Sequence, residues 1–182
     1  MSEARDRLLD TATRLFFAEG IHTVGIDRII AEAGIAKATF YRHFKTKDDL
    51  VVAYLTREYA RQRGNLESVR EEGVEGIVVI FETLAELSRG PGFRGCPFLN
   101  AAVEFPKPDH AVRRVVDDYR AWFRDLMAER LRAAGHEDVD EAARALLLTR
   151  DGVTISGAVG DSETVRAGVR TALSRLNIRA DG

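Results

Sequence analysis

The sequence predicts an all-α protein of about nine helices, and three observations carry that prediction. Apolar residues recur at spacings of three and four along most of the chain, which is the period of a helix with one buried face. No segment shows the alternation of apolar and polar residues that a half-buried strand requires. Glycine and proline fall between the periodic segments, where helices are expected to end.

Three short helices are predicted before residue 45. The first is indicated by an apolar stripe followed by Gly20, a residue suited to a helix end, and the stripe is Leu8, Ala12, Leu15 and Phe16. A second stripe precedes Gly34 and consists of Ile26, Ile29, Ile30 and Ala33. The third helix is indicated by Phe40 and Phe44, which are four residues apart.

Six further helices are predicted in the rest of the chain. Thr46 and Asp49 have the spacing of a capping box, which predicts a fourth helix from about residue 47 to 69. A fifth begins near Gly73, and Pro97 suits the first turn of a short sixth helix. The seventh starts at Asp109 and follows the stripe Val112, Val115, Tyr119, Trp122, Phe123, Leu126 and Leu131. The last two cover about 138–158 and 162–178.

Composition excludes several classes of protein. The formal net charge of −2 argues against a globally basic polyanion binder, so a polyanion site must be local. A single cysteine, Cys96, allows no intrachain disulfide, and the charged N-terminus predicts no signal peptide. Nowhere are 18 apolar residues consecutive, and the four histidines are far apart in the sequence. We therefore expect a cytoplasmic protein without a membrane span, metal site or cofactor.

The segment from Lys37 to Lys47 carries local positive charge. It holds four fixed cations and no acid, namely Lys37, Arg42, Lys45 and Lys47. On a helix whose buried side is defined by Phe40 and Phe44, Arg42 and Ala38 point away from the core. A short helix, a turn at Gly34 and such a second helix describe a helix-turn-helix. A run of charge is more often a solvated face, but the combined spacing favours DNA binding.

The stretch "GIDRIIAEAGIAKATFYRHFKTKDDL" resembles the DNA-binding signature of the TetR family of bacterial transcriptional regulators, with a match over residues 4–60. The resemblance implies a helix-turn-helix DNA-binding domain at 1–47 and a helical effector-binding and dimerisation domain at 48–182, connected by the fourth helix. It also implies a homodimer that binds a palindromic operator, and represses until a small molecule releases it. The remaining two thirds resembles the family only in the number and order of helices.

The resemblance assigns DNA-binding residues position by position. The recognition helix and the start of the fourth helix supply Lys37, Ala38, Thr39, Tyr41, Arg42, His43 and Lys47. Gly25 occupies the position at which members of the family often have Ser or Thr as the N-cap of the second helix, and glycine is also a favoured N-cap residue. Ala36 replaces a usual serine, which removes a side-chain cap from the recognition helix.

The last two predicted helices carry apolar stripes that we expect to form a twofold dimer. One stripe is Ala142, Leu146 and Val153, and the other is Val165, Val169, Ala172 and Leu176. Packing within the same chain is the alternative for both stripes.

Aromatic residues between the fifth and eighth helices, with a few polar residues, predict a largely apolar effector site. Its candidate residues are Phe81, Leu84, Phe98, Asn100, Glu104, Tyr119, Trp122 and Asp151. Solid core is the alternative for the aromatic residues, and a polar pair on the surface is the alternative for Asn100 and Glu104.

Two alternatives to an effector-controlled regulator differ in class. An enzyme on a helical bundle has no support, because the sequence has no paired nucleophile and base, no phosphate-binding glycine loop and no clustered metal ligands. An architectural or constitutive DNA binder without an effector is closer. The length of chain beyond residue 65 argues against it, since dimerisation alone needs fewer residues.

Overall fold

The computed structural model describes residues 2–178, and within them it contains nine helices and no strand. The all-α prediction is confirmed. The helices are α1 (Glu3–Glu19), α2 (Ile26–Ala33), α3 (Lys37–His43), α4 (Lys47–Glu67), α5 (Gly73–Leu87), α6 (Pro97–Glu104), α7 (Ala111–Ala133), α8 (Val139–Ala158) and α9 (Ser162–Arg175). The predicted ends of α4 and α9 were two to three residues too late, and α7 begins two residues after Asp109.

Local capping explains where α4 begins. The Asp49 backbone N–H donates to Thr46 Oγ1 at 3.1 Å, and the Thr46 backbone N–H donates to Asp49 Oδ2 at 2.9 Å. These reciprocal bonds are the capping box that the spacing predicts. Pro97 is the first residue of α6, where its missing N–H leaves no helical hydrogen bond unmade.

The described chain divides into two compact units. The first combines the residues up to Arg61 with Pro97–Asp117, and the second combines Gln62–Cys96 with the residues from Asp118 onward. The functional boundary predicted between residues 47 and 48 is a different division, and it stays a prediction. Residue 1 and residues 179–182, which the two predicted domains include, lie outside the described residues.

The first unit has a small apolar core on which the short helices rest. Leu8, Ala12 and Leu15 of α1 are at most 1% exposed, and Phe40 of α3 is fully buried. Phe16 packs against Tyr54 of α4, with ring centroids 5.7 Å apart. This core fixes α2 and α3 against α1 through side chains that the sequence periodicity identifies.

The second unit buries the apolar faces of α5, α7, α8 and α9 in one core. That core includes five residues of the two stripes expected to form a dimer, namely Ala142, Leu146, Val153, Val165 and Val169. The expectation for these five residues was wrong, because each is at most 5% exposed in a single chain. The alternative that remained open for them, packing within the chain, is the one observed.

Candidate nucleic-acid interface

The turn between α2 and α3 depends on Gly34. Its φ of +62° lies in the left-handed region, and the Ile35 backbone N–H donates to the Ile30 carbonyl at 3.1 Å to close the helix end. Arg7 of α1 donates through Nη2 to the Ala33 carbonyl at 2.6 Å. A Cβ at position 34 would lie 2.9 Å from that Nη2 atom. Both the backbone conformation and the close approach of Arg7 therefore favour glycine.

Helix α3 has one buried face and one exposed face. Phe40 is fully buried, Phe44 is 3% exposed, and their ring centroids lie 5.9 Å apart. Lys37, Ala38, Arg42 and the 45% exposed Tyr41 lie on the surface, whereas Thr39 and His43 are half-buried. The predicted separation of an apolar and a cationic face is therefore present.

The N-caps of the two helices lack side-chain hydrogen bonds. Gly25 precedes α2 with extended backbone, and Ala36 precedes α3 in the same way. The Ala36 carbonyl still accepts from the backbone N–H groups of Thr39 and Phe40 at 2.9 and 3.1 Å. Helix α3 thus starts on backbone hydrogen bonds and on the anchoring of Phe40.

Two lysines of this surface have shifted pKa values, for different reasons. Lys37 Nζ lies 2.8 Å from Asp27 Oδ1, and the hydrogen bond with Asp27 raises the pKa of Lys37. Lys47 is half-buried, and burial lowers its pKa while Glu104 and Asp48 act in the opposite direction. The exposed residues Arg42 and Lys45 form no ion pair with the residues described in the range 2–178. Arg42 is consequently available to an external acceptor.

The predicted effector-site residues are distributed over both units. Phe98, Asn100 and Glu104 belong to the first unit, whereas Phe81, Leu84, Tyr119, Trp122 and Asp151 belong to the second. Phe81 and Phe98 are fully buried. The Glu104 carboxylate accepts backbone hydrogen bonds from Ile21 and His22, and Trp122 Nε1 donates to Glu67 Oε1 at 3.2 Å. Whether any of these residues binds an effector stays a prediction.

Sequence reasoning missed a buried cation in the second unit, Arg150. Its side chain is 4% exposed and donates to Asp151 Oδ1 at 2.8 Å, to Cys96 Sγ at 2.9 Å and to the Tyr119 hydroxyl at 3.0 Å. The guanidinium carbon also lies 4.9 Å from the Tyr119 ring centroid. Burial lowers the pKa of Arg150, but its neighbours outweigh burial and the pKa is raised overall. A signal existed, since Arg150 continues the stripe of Ala142 and Leu146.

This cluster brings together two of the predicted effector-site residues. Tyr119 and Asp151 both contact Arg150, and Asp151 Oδ2 also accepts from Arg120 Nη1 at 2.6 Å. The Tyr119 hydroxyl donates to Gln62 Oε1 at 2.7 Å, and its ring centroid lies 5.6 Å from that of Trp122. The arrangement can present an aromatic surface beside fixed polar groups.

The Tyr119 phenol should ionise at an unusually high pH. Burial raises its pKa to about 12, although Arg150 acts in the opposite direction. Because the phenolate is disfavoured in the folded state, the neutral phenol contributes to the free energy of unfolding. This contribution is fully present below about pH 10, the pKa in the unfolded chain, and is lost as the pH rises toward 12. We expect the difference in phenolate absorbance between the parent and Tyr119→Phe to have its midpoint near pH 12. A midpoint near the ordinary tyrosine pKa would contradict this burial effect.

Within residues 2–178, no group of three or more His, Cys, Asp or Glu side chains is arranged to hold a metal ion. The helices described in the same range are all too short or too polar to span a membrane.

Comparison with known proteins identifies relatives along the whole chain. Residues 8–54 match the family described as bacterial regulatory proteins, tetR family. The crystal structure of SCO4454, a TetR-family transcriptional regulator from Streptomyces coelicolor, is 45% identical, has a TM-score of 0.88 and covers 97% of each chain. The HTH-type transcriptional regulator LmrA of Bacillus subtilis is 28% identical over 73% of this chain and 73% of its own.

A structure of the TetR-family regulator CifR, as a cysteine mutant complexed with 26-bp double-strand operator DNA, shares the fold. It is 21% identical, has a TM-score of 0.78, and the match covers 93% of this chain and 95% of that chain. At this identity the likeness concerns the fold alone.

Proposed function

Because the chain belongs to the TetR family of bacterial transcriptional regulators, we propose that it is a cytoplasmic, homodimeric repressor. It binds a palindromic operator and leaves it when a small, largely apolar effector binds. The observation that carries the DNA-binding part is the exposed face of α3, where Arg42 stands beside the very small Ala38. A small residue lets the helix approach the base edges closely, and an arginine can pair with guanine through two hydrogen bonds.

The other surface residues suit contacts to phosphate. Lys37, Thr39, Tyr41 and His43 flank Arg42 on α3 with groups that can donate to phosphate oxygens. Lys47 is the first residue of α4, where the N-terminal amides also favour an anion. Gly25 is the N-cap of α2, and a Cβ there would meet no atom within 4 Å, so the backbone at this position is accessible. We assign base reading to Arg42 and phosphate binding to Lys47.

Replacing Arg42 and Lys47 singly by alanine should separate these two roles. Arg42→Ala should cost about 1–3 kcal/mol on the specific duplex, because one base contact is lost. Lys47→Ala should weaken specific and unrelated duplexes alike and reduce the salt slope by about one, because one phosphate contact is lost. The measurement is the dissociation constant at several salt concentrations, on a duplex selected by the parent protein from a randomised library.

Arg124→Ala is the matched control for this experiment. Arg124 is an exposed arginine of α7, paired with Asp125 at 2.9 Å, and lies in the second unit. Its removal changes the charge by the same amount without touching α3 or α4, so affinity should be unchanged. Operator binding by Arg42→Ala and Lys47→Ala as tight as that of the parent would overturn the proposed interface.

The dimer that we propose uses a stripe on α8 other than the one predicted from sequence. Leu148 and Ile155 of α8 are 70% and 51% exposed, and Val159, which directly follows the helix, is 76% exposed. The three residues follow helical spacing, with Gly152 between Leu148 and Ile155. A Cβ at Gly152 would meet no atom within 4 Å, so a second helix could approach closely there. We propose a second copy of the chain as the occupant, because a palindromic operator requires two recognition helices about 34–36 Å apart, which a twofold dimer can supply.

The proposed effector site lies in the second unit, beside Tyr119 and Trp122. Trp122 is half-buried, so part of its ring is accessible as apolar surface. The buried Tyr119 ring lies behind it, with centroids 5.6 Å apart, and its hydroxyl binds the charged Arg150, which also contacts Asp151. Such a combination suits a small aromatic or apolar molecule with one polar group. Release of DNA requires that this molecule bind the free form more tightly than the DNA-bound form. Screening small aromatic compounds for release of the selected duplex tests this part, and an architectural binder would respond to none.

A further inference from the structure

The last residue of α6, Glu104, holds the turn between α1 and α2. After α1 ends at Glu19, the backbone N–H groups of Ile21 and His22 have no helical acceptor. They donate to the two oxygens of the Glu104 carboxylate, Ile21 to Oε1 at 2.9 Å and His22 to Oε2 at 2.5 Å. One carboxylate therefore satisfies two consecutive amides that lie more than 80 residues away in the sequence.

His22 makes a further contact with the same residue. Its Nε2 lies 2.9 Å from the Glu104 carbonyl oxygen, which requires the ring to donate from that nitrogen. The His22 ring also packs edge-on against Phe105, with centroids 5.0 Å apart. The backbone and the side chain of His22 are thus both fixed by the end of α6.

The contacts continue to the first residues of α4. Phe105 packs against His110 with ring centroids 4.8 Å apart, and His110 Nε2 lies 3.2 Å from Asp48 Oδ2. Lys47 Nζ lies 3.5 Å from the His22 carbonyl oxygen. The turn that Glu104 holds therefore presents an acceptor to the lysine side chain at the start of α4.

The charge of Glu104 makes its place near a DNA-binding surface unexpected. A carboxylate close to phosphates repels them, so its removal by itself should strengthen binding. Its two hydrogen bonds to backbone amides and its link to Lys47 through His22 point to the opposite effect.

We propose that Glu104 is a positioning residue for operator binding, which holds the α1–α2 turn so that the His22 carbonyl orients Lys47 toward a phosphate. This inference rests on the proposed function, in which Lys47 contacts DNA. Glu104 itself needs no contact with DNA, because it acts through the turn. Without the Glu104 carboxylate, Lys47 keeps its charge, but the His22 carbonyl that orients its side chain is no longer held in place.

The test is a double-mutant cycle on the duplex selected by the parent protein. Glu104→Ala should weaken binding about tenfold, because the charge-assisted bonds to both amides are lost. It should also reduce the salt slope by about one, as Lys47→Ala does. In the Lys47→Ala background the same substitution should change affinity less than about twofold, since the two residues act through one contact. A substitution that only loosened the fold would weaken binding equally in both backgrounds.

Asp109→Asn is the matched control. Asp109 is an exposed acid in the same unit, and among residues 2–178 no hydrogen bond to its carboxylate is described. Its variant removes one negative charge without touching the turn, so it should bind DNA as tightly as the parent or slightly more tightly. If Glu104→Ala also bound as tightly as the parent or more tightly, or if the two effects were additive, the positioning role would be overturned.

Two measurements keep the test informative if Glu104→Ala does not fold. Glu104→Gln keeps the size and one acceptor oxygen, so it should fold and show a smaller effect in the same direction. In the parent protein bound to the duplex, the Ile21 and His22 amide protons should exchange slowly with solvent; rapid exchange would overturn the proposal. If the parent protein selects no duplex, the proposed function is overturned as well. If the parent binds a duplex selectively and the Glu104 variants bind it equally well, the positioning role alone is overturned.

Discussion

Replacing Arg150 by alanine should lower the free energy of unfolding by about 3–5 kcal/mol, the largest effect we expect from a single substitution in this chain. The residue is 3% exposed and donates hydrogen bonds to Asp151, Cys96 and the Tyr119 hydroxyl. Alanine would leave these groups with fewer partners and would open a cavity against the Tyr119 and Phe123 rings. Urea unfolding followed by circular dichroism measures the change.

Two variants separate the buried charge from the buried volume. Arg150→Met refills most of the space, and Asp151 keeps its bond to Arg120 Nη1, so it should cost less than Arg150→Ala. Arg124→Ala removes an exposed arginine from the same unit and should change stability by less than about 1 kcal/mol. Equal stability of Arg150→Ala and the parent would mean that the cluster adds nothing to the folded state.

The double substitution of Leu148 and Ile155 by aspartate should separate the proposed dimer into monomers of 20.2 kDa. The two side chains are 70% and 51% exposed on the free chain, so aspartate there faces water in a monomer. In the dimer the same carboxylates would be buried against their symmetry copies without partners. Sedimentation at micromolar concentration should detect the change. Operator affinity should fall about 100-fold or more, because the two half-sites would no longer be bound together.

The matched control for this pair is Val103→Asp. Val103 is 82% exposed and lies on α6, outside the proposed interface. Its variant places one aspartate, the same change as at each of the two α8 positions, at an exposed apolar residue, so the dimer should persist. A parent protein that sediments only as a monomer, or a double variant that remains a dimer, would contradict the assignment of the α8 stripe.

Much of the helix-turn-helix could be predicted because its signals are local. Phe40 and Phe44 define the buried side of α3 within one helical turn, and the Thr46–Asp49 capping box closes over three residues. Gly34 marks the turn because only a few residue types adopt its backbone conformation easily. Spacing within a few residues is enough to read each of these features.

The remainder depends on contacts between distant residues. The bonds of Glu104 to the α1–α2 turn and those of Arg150 to Cys96 and Tyr119 join segments that are 31 to 83 residues apart. Sequence periodicity says that a face is apolar, but it does not say whether the same chain or a second copy covers it. For this reason the periodicity alone predicts Leu146 and Val153 in a dimer interface, although they lie in the core of the chain itself.

The fit of Arg7 against Gly34 bears on how the motif could be moved between proteins. Arg7 donates to the Ala33 carbonyl at 2.6 Å, and a Cβ at position 34 would meet its Nη2 atom at 2.9 Å. A graft of α2 and α3 alone onto a foreign first helix would leave the Ala33 carbonyl without this donor. A helix-turn-helix of this protein that is to keep its geometry in another protein must therefore include α1, and changes to the surface of α3 are best made by replacing its side chains in place.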